Sequence, residues 1–470
     1  MGGARRWGAV AAAAAMVGAV MAAGGGSAGA APLTRPADPV VVSGASLPTL
    51  STFGKALIVG FAYDGSAWKH IPIQIDERAL VDLGKVYNNL SFPNYPTPTG
   101  VKVLTYTAGN TFTGNDPNKR LDADDELVFM ARDAGVAAPE GSLPAGVVPG
   151  SGVELRVTDP LAPDTEGFVY LFRKAQGAKL PQGAKAKYVK YSFKLLSGSY
   201  KKTYKITQGP NPENTTVKGA TYEHHFGDRW MSDSLKVTAP GASKVDILDR
   251  HKALFAPGVC GRSEDTFNAA EGAFVINKAG PVRALRSYIG ANSGPSTQRT
   301  HLFYDQREDI VTDLRVHAIP SIMDVMDYSP AAAGMTYRNS LNTTGVTIDG
   351  AADSVTAGVP TWEQVTGPQG SVTTVAQLAT SFTPSGVTSY YLDAVNPPVT
   401  QCTGDASAYG TSGLWITGAI PCTDPLTACT QTLQGVRTMY FESPGATAAT
   451  AAARRDQVLN PLAVSATPRP

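Results

Sequence analysis

Short runs of alternating apolar and polar residues, separated by glycine and proline, repeat along nearly the whole chain. A period of two sends successive side chains to opposite faces of a strand. Residues 56–63 read as a strand, Tyr63-Asp-Gly-Ser66 as a turn and 68–75 as the partner strand. Runs at 101–106, 126–131, 152–158 and 168–174 complete a first β-rich unit. Residues 31–50 read as a lead-in, and 133–151, with Pro139, Pro144 and Pro149, as a loop. Beyond Gly177 the runs lengthen. Residues 187–196 and 200–208 suggest a hairpin around Ser197-Gly198, followed by 215–226 and 234–239. A meander is expected over 273–276, 282–289, 300–304 and 311–319, extended by 372–378, 389–393, 414–417 and 436–442. Only 446–459 reads as a helix, Ala-rich and stopped by Pro461. The expected fold is all-β: a smaller N-terminal β domain over 31–176, then a large antiparallel β-sandwich over 177–470 ending in that helix. No repeat of fixed period interrupts this reading.

The first thirty residues break the pattern. Arg5-Arg6 precede a small-residue apolar run from Gly8 to Met21, and Ala28-Gly29-Ala30 fits an A-x-A cleavage site. Residues 1–30 are therefore expected to be an export signal, with Arg5-Arg6-Trp7 loosely similar to a twin-arginine signal, and the mature chain to be secreted. The glycine break at 24–26 argues against a membrane span, so no membrane insertion is expected. Without Arg5 and Arg6 the 40 basic residues fall to one fewer than the 39 acidic ones. That balance offers no electrostatic case for nucleic acid. Cys260, Cys402, Cys422 and Cys429 are even in number, so two disulfides are expected in an oxidising compartment. The absence of a Cys-x-x-Cys pair weighs against zinc.

The segment Lys278-Ala-Gly280-Pro281-Val-Arg283, a long strand, and then Arg299-Thr-His301-Leu-Phe-Tyr304 resembles galactose-mutarotase-like supersandwich domains of carbohydrate-active proteins. The resemblance covers at most residues 180–440. It implies a two-sheet sandwich whose concave face holds polymeric sugar.

Three constellations carry candidate chemistry. Asp116, Asn118, Asp122 and Asp125 precede the apolar run Leu127–Met130. They resemble a calcium loop of the D-x-N-x-D-G-x-L-D-x-x-E kind, but the central Asp-Gly is missing and the EF-hand register fails. A structural Ca2+ clamp is one expectation; a polar turn with Arg120 paired to a carboxylate is the other. The second constellation is Tyr222, His224, His225, Arg229 and Trp230. His224 and His225 are adjacent on a strand and must face opposite ways. The third groups Arg299, His301 and Phe303 on one strand face, with Tyr304, Arg283 and His317 nearby. Asp324, Asp327 and Tyr328 are expected in a loop at a strand end.

A lyase acting on a uronate uses a His or Tyr base and an Arg to neutralise the carboxylate, whereas a hydrolase uses paired carboxylates. Tyr222, His224, His225, Arg229, Arg283 and His301 are the candidate catalytic groups. Trp230, Tyr304, Arg299 and His317 are the candidate substrate contacts. No G-x-S-x-G elbow, phosphate-binding glycine loop or H-E-x-x-H motif occurs. The expectation is a secreted enzyme cleaving an extracellular polysaccharide, by elimination in preference to hydrolysis. The alternative is a non-catalytic secreted protein that binds an oligosaccharide or serves as surface structure.

Overall fold

The structure, a computed structural model, describes residues 31–83, 102–111, 113–180, 187–197, 212–228, 230–255, 272–290, 297–315, 319–396, 408–420 and 431–470. The expected export signal, the four cysteines with their disulfides, the 200–208 strand, Arg229 and His317 lie outside the described residues.

The fold is all-β, built from antiparallel sheets, with strands numbered here along the chain. The N-terminal unit holds a three-stranded sheet, β1 (Pro39–Ser43), β7 (Glu126–Met130) and β4 (Gln74–Asp76), in the order β1-β7-β4. A five-stranded sheet packs on it in the order β27-β8-β9-β2-β3. Its members are β2 (Ile58–Tyr63), β3 (Trp68–Ile71), β8 (Gly152–Asp159), β9 (Ala162–Arg173) and β27 (Ala463–Arg469). The pair β5 (Arg78–Asp82) and β6 (Lys102–Tyr106) stands beside them.

Sequence pattern accounts for this packing. In β8, Val153, Leu155 and Val157 face the core while Arg156 faces out. Strand β7 is almost wholly apolar because both its faces are covered. Leu127 and Phe129 join the N-terminal core, and Val128 and Met130 meet Val282 and Tyr304 of the larger unit. Strand β9 behaves likewise: Val169 and Leu171 point into the core, and Phe168, Tyr170 and Phe172 point to a second cluster with Val147 of the proline-rich loop.

The larger unit is a sandwich dominated by a nine-stranded sheet ordered β15-β16-β17-β18-β26-β23-β22-β20-β21. The expected meander forms its first four strands, β15 (Gly272–Ala279), β16 (Ala284–Gly290), β17 (Thr297–Phe303) and β18 (Arg307–Arg315). The rest are β20 (Thr336–Asn339), β21 (Asn342–Thr347), β22 (Glu363–Gly367), β23 (Gly370–Thr380) and β26 (Thr432–Glu442). Two four-stranded sheets accompany it. One is β10 (Lys190–Ser192), β11 (Thr215–Lys218), β12 (Tyr222–Phe226) and β13 (Ser232–Val237). The other, ordered β14-β19-β25-β24, comprises β14 (Leu248–Phe255), β19 (Ile322–Tyr328), β24 (Val387–Ala394) and β25 (Ala408–Ile416). One core joins all three sheets, with Val217 and Leu235, Met326 and Tyr328, and Phe303, Val372 and Met439 as members.

Helix α1 (Ala448–Leu459) starts at a capping box made by Thr447 and Thr450. It rests Ala451 on Trp362 and Val375.

Four local expectations need correction. The 31–50 lead-in contains β1, which pairs with β7 along its whole length. The 68–75 run is two strands: Pro72 follows β3, and the chain then moves to another sheet as β4. The 215–226 run breaks between β11 and β12, where Gly219 closes against Asp305 O and the Tyr222 ring. Asp324, Asp327 and Tyr328 lie within β19 rather than in a loop, because His251 and Lys252 on neighbouring β14 give the acids partners.

Candidate functional site

The expected catalytic residues that are described, Tyr222, His224, His225, Arg283 and His301, do not meet in one groove. Strand β12 turns Tyr222, His224 and Phe226 inward and His225 outward, as adjacent strand positions require. Tyr222 stacks on Phe441 at 4.2 Å, and its hydroxyl donates to Tyr304 O at 2.9 Å. His225 bonds Asp233 at 2.6 Å and Asn214 at 3.0 Å on the outer face.

His224 and His301 share one carboxylate. Glu308 on β18 accepts from His224 Nδ1 at 2.9 Å and from His301 Nδ1 at 2.7 Å. The far nitrogen of His224 meets the Ser232 hydroxyl, and that of His301 meets the Tyr288 hydroxyl at 2.7 Å. Burial opposes charge on Glu308, but the two imidazole donors hold its carboxyl down at about 2. Burial presses His301 to about 3, so it is neutral at ordinary pH. Ser232, His224 and Glu308 have the order of a nucleophile, base and orienting acid. All three are buried, however, and none of them lines the inter-sheet cleft at Arg299 and Trp230. This chain of hydrogen bonds is a satisfied polar core.

Arg283 and Tyr304 lie at the contact between the two units. Arg283 Nε donates to Asp76 at 2.8 Å, Nη2 to Glu126 at 2.6 Å and Nη1 to the Tyr304 hydroxyl at 3.1 Å. Lys278 adds a bond to Asp76 at 2.7 Å. Despite burial, Lys278 and Arg283 hold the Asp76 carboxyl near 2.

Arg299 and Trp230 line a cleft between the β14-β19-β25-β24 sheet and the nine-stranded sheet, with about 710 Å3 of empty space, open solvent included. Strands β17, β18, β26 and β23 form one wall and β19, β25 and β24 the other. Most lining residues are aliphatic, among them Leu314, Ile322, Leu378, Leu414, Ile416 and Leu433. The charged groups gather at one place. Asp324 accepts from His251 Nε2 at 2.6 Å, and the Arg299 and Arg437 guanidiniums lie 3.7 and 3.5 Å from the same oxygen. Arg437 also donates to Asp324 O at 2.7 Å, and its buried Nε makes no hydrogen bond among the described residues. Arg299 donates to Thr312 at 3.0 Å and lies over the Trp230 ring at 5.1 Å.

Burial opposes charge on Asp324, but Arg437, His251 and Arg299 hold it far below the usual carboxylate range. Burial, reinforced by Arg299, lowers His251 to about 4. At neutral pH Arg299, Arg437, the Asp324 carboxylate and a neutral His251 gather at the cleft, with buried Glu363 close enough to act on Arg437 and Asp324. His251 and Arg437 carry no local sequence motif. Only strand pairing, β14 with β19 and β18 with β26, brings them to Arg299.

The acidic loop precedes β7, in the N-terminal unit. One carboxylate oxygen from each of Asp116, Asp122 and Asp125 lies within 4.8 Å of the other two. Burial, and then the charges of Asp122 and Asp116, raise Asp125 to about 6. Asn118, an expected ligand, has its oxygen engaged by Arg120 N at 3.1 Å while its amide nitrogen donates to Asp122 at 3.0 Å. It positions Asp122.

A comparison with protein-family models finds no match, and neither does a comparison with curated proteins.

Proposed function

We propose that this chain is a binding protein whose inter-sheet cleft takes a ligand with a carboxylate and an apolar body. The observation that carries this is the pairing of Arg299 and Arg437 against the single carboxylate of Asp324, among aliphatic walls. Guanidiniums suit a carboxylate brought by a ligand because they can donate two parallel hydrogen bonds. The walls favour an aliphatic body, at roughly 25 cal/mol for each Å2 removed from water.

Binding is better supported than cleavage. His251 is the imidazole beside the cleft, but it is buried and both its nitrogens face partners, Asp324 and Arg299. It has no free position from which to abstract a proton. Asp324 is the one carboxylate lining the cleft, so paired acids for hydrolysis are missing among the described lining residues. An acidic sugar is the competing ligand. Its carboxylate suits the arginines, but most of its hydroxyls would face aliphatic walls without partners, at a cost of about 1–3 kcal/mol each.

Calorimetric titration with decanoate, decanol and galacturonate tests the reading. Decanoate is expected to bind at least about tenfold more tightly than decanol, an advantage lost in Arg437→Gln, since a hydrogen bond to a charged group contributes about 1.5–3 kcal/mol. Equal affinity for decanol would sink the carboxylate reading. Preference for galacturonate, or release of unsaturated sugar ends from its polymer, would restore the carbohydrate expectation.

A further inference from the structure

We infer that the loop leading into β7 is a Ca2+ site, with Asp116, Asp122 and Asp125 as its carboxylate ligands and Asn118 as a positioning residue. The inference is independent of the inter-sheet cleft. Three observations carry it.

The first is an unpaired oxygen. Asp116 is only 5% exposed, yet its Oδ2 is buried without a hydrogen-bond partner. Its other oxygen accepts from Asn118 N at 3.1 Å. A buried carboxylate oxygen left without a donor is costly. Asp122 and Glu77 add to the cost by like charge, and Lys55, which is paired with Glu77, offsets only part of it.

The second is that no basic side chain of the loop neutralises the cluster. Among the described residues Arg120 forms no ion pair with these acids and gives only its backbone N–H, to Asn118. Lys55 is paired with Glu77. The Arg78 guanidinium is directed to Glu126 at 2.6 Å, so Asp125 is met by backbone N–H groups alone, from Arg78 at 2.9 Å and from Asp122 at 3.1 Å. The Arg120–carboxylate pair expected of a polar turn is not formed among the described residues, although backbone N–H groups of Asn118, Asp122 and Asp124 do cap these acids as in such a turn.

The third is the donor set. One oxygen from each of the three acids lies within 4.8 Å of the other two. Hard carboxylate oxygens suit an alkaline-earth cation, and Mg2+ generally keeps most of its waters and takes one or two carboxylates. Three protein carboxylates on one loop therefore favour calcium, with water or main-chain oxygens completing its shell.

Such a cation would clamp three segments. Gly44 N donates to Asp125 O at 2.9 Å and Ala45 N to Ala123 O at 3.2 Å, which ties in the end of β1. The approach is close enough that a Cβ on Gly44 would lie 1.7 Å from Asp122 O. Arg78 N ties in β5, and Glu126, next along the chain, enters the bonds to Arg283.

The test is calorimetric titration of the chelator-stripped full-length chain with CaCl2 and with MgCl2, together with thermal unfolding in EDTA and in excess Ca2+. The expected result is one Ca2+ per chain, at least tenfold weaker Mg2+, and a rise in Tm with Ca2+ concentration, because a ligand that binds only the folded state stabilises it by mass action. Asp116→Asn is expected to lose the Ca2+-dependent rise while its Tm in EDTA matches or exceeds that of the parent chain, since one buried negative charge is gone. Asp164→Asn, at an exposed position away from the loop, is expected to keep the full response. No heat with CaCl2 on the parent chain would overturn the inference. So would equal binding of Mg2+, or an undiminished Ca2+ response in Asp116→Asn.

Discussion

His251 and His301 are held neutral by burial, and the consequence is acid sensitivity. Each keeps a folded value below the usual 6.5 of histidine, about 4 for His251 and about 3 for His301. Between pH 6.5 and those values the unfolded chain takes up protons that the folded chain refuses, so stability falls as pH falls. Above pH 6.5 both forms are neutral and the contribution is complete. The drop for His251 alone is of order 3 kcal/mol, at ~1.4 kcal/mol for each tenfold loss of proton affinity. Unfolding in denaturant from pH 7 to pH 4 should show midpoints sliding downward, and His251→Gln should flatten part of that slope. A parent slope unchanged by the substitution would mean that His251 titrates alike in the folded and unfolded chain. Glu308 works in the same direction lower down, its contribution being lost as pH falls from its usual 4.5 towards 2. At this scale the chain was partly legible. Alternation put His224 and His225 on opposite faces without saying which was inward, and put Arg299, His301 and Phe303 on one face, where the His301 and Phe303 rings stack. It could not show that His301 would be sealed by Tyr288 and Glu308. His251 stood in Asp249-Arg-His-Lys252 with no motif to mark it.

Strand β27 shows what an element can do that its own sequence does not announce. Residues 463–469 follow Pro461 with no strong alternation, yet they pair with β8 along seven positions and return the C-terminus to the N-terminal unit. Without β27, β8 would be an unprotected edge. Arg469 fixes the end of the strand: it lies 4.6 Å over the Tyr170 ring, bonds Glu154 at 3.0 Å and donates to Pro139 O at 2.6 Å. A chain ending at Leu462 should therefore unfold at lower temperature and associate with rising concentration, as read by calorimetry and light scattering. Arg469→Ala should lower Tm by less and stay monodisperse, since it keeps the ladder. Equal behaviour of the truncated and full chains would mean that β8 needs no cover. Elements with dense local pattern were readable, such as the β15–β18 meander and the helix, whose Ala-rich run and proline stop place it almost where it lies. Pairings between distant strands, such as β23 with β26 and β1 with β7, depend on global closure of the sheets. No local period encodes that closure.

Across the whole molecule, the two units are joined by charge as well as by apolar contact. Val128 and Met130 pack on Val282 and Tyr304, and beside them Arg283 bridges Asp76 of β4 and Glu126 of β7. Gln74 accepts from the backbone N–H groups of Val282 and Arg283, so the register of the joint is set by directed bonds. Removing one partner from a buried ion pair generally costs about 3–5 kcal/mol, because the other charge stays behind in a poor solvent. In Arg283→Met, Asp76 retains Lys278 and Gln74, and Glu126 retains Arg78 and Tyr106, which points to the lower end, about 3 kcal/mol. The loss falls on the joint, so it should weaken coupling more than it weakens either core. Calorimetry is expected to resolve two transitions in Arg283→Met where the parent chain shows one, with the N-terminal unit melting first because it has the smaller core. Glu126→Gln should keep a single transition, since Asp76 still holds Arg283. If Arg283→Met also melts in one step, the apolar contact and the returning β27 are sufficient to couple the units, and the buried charges serve only to set how they meet.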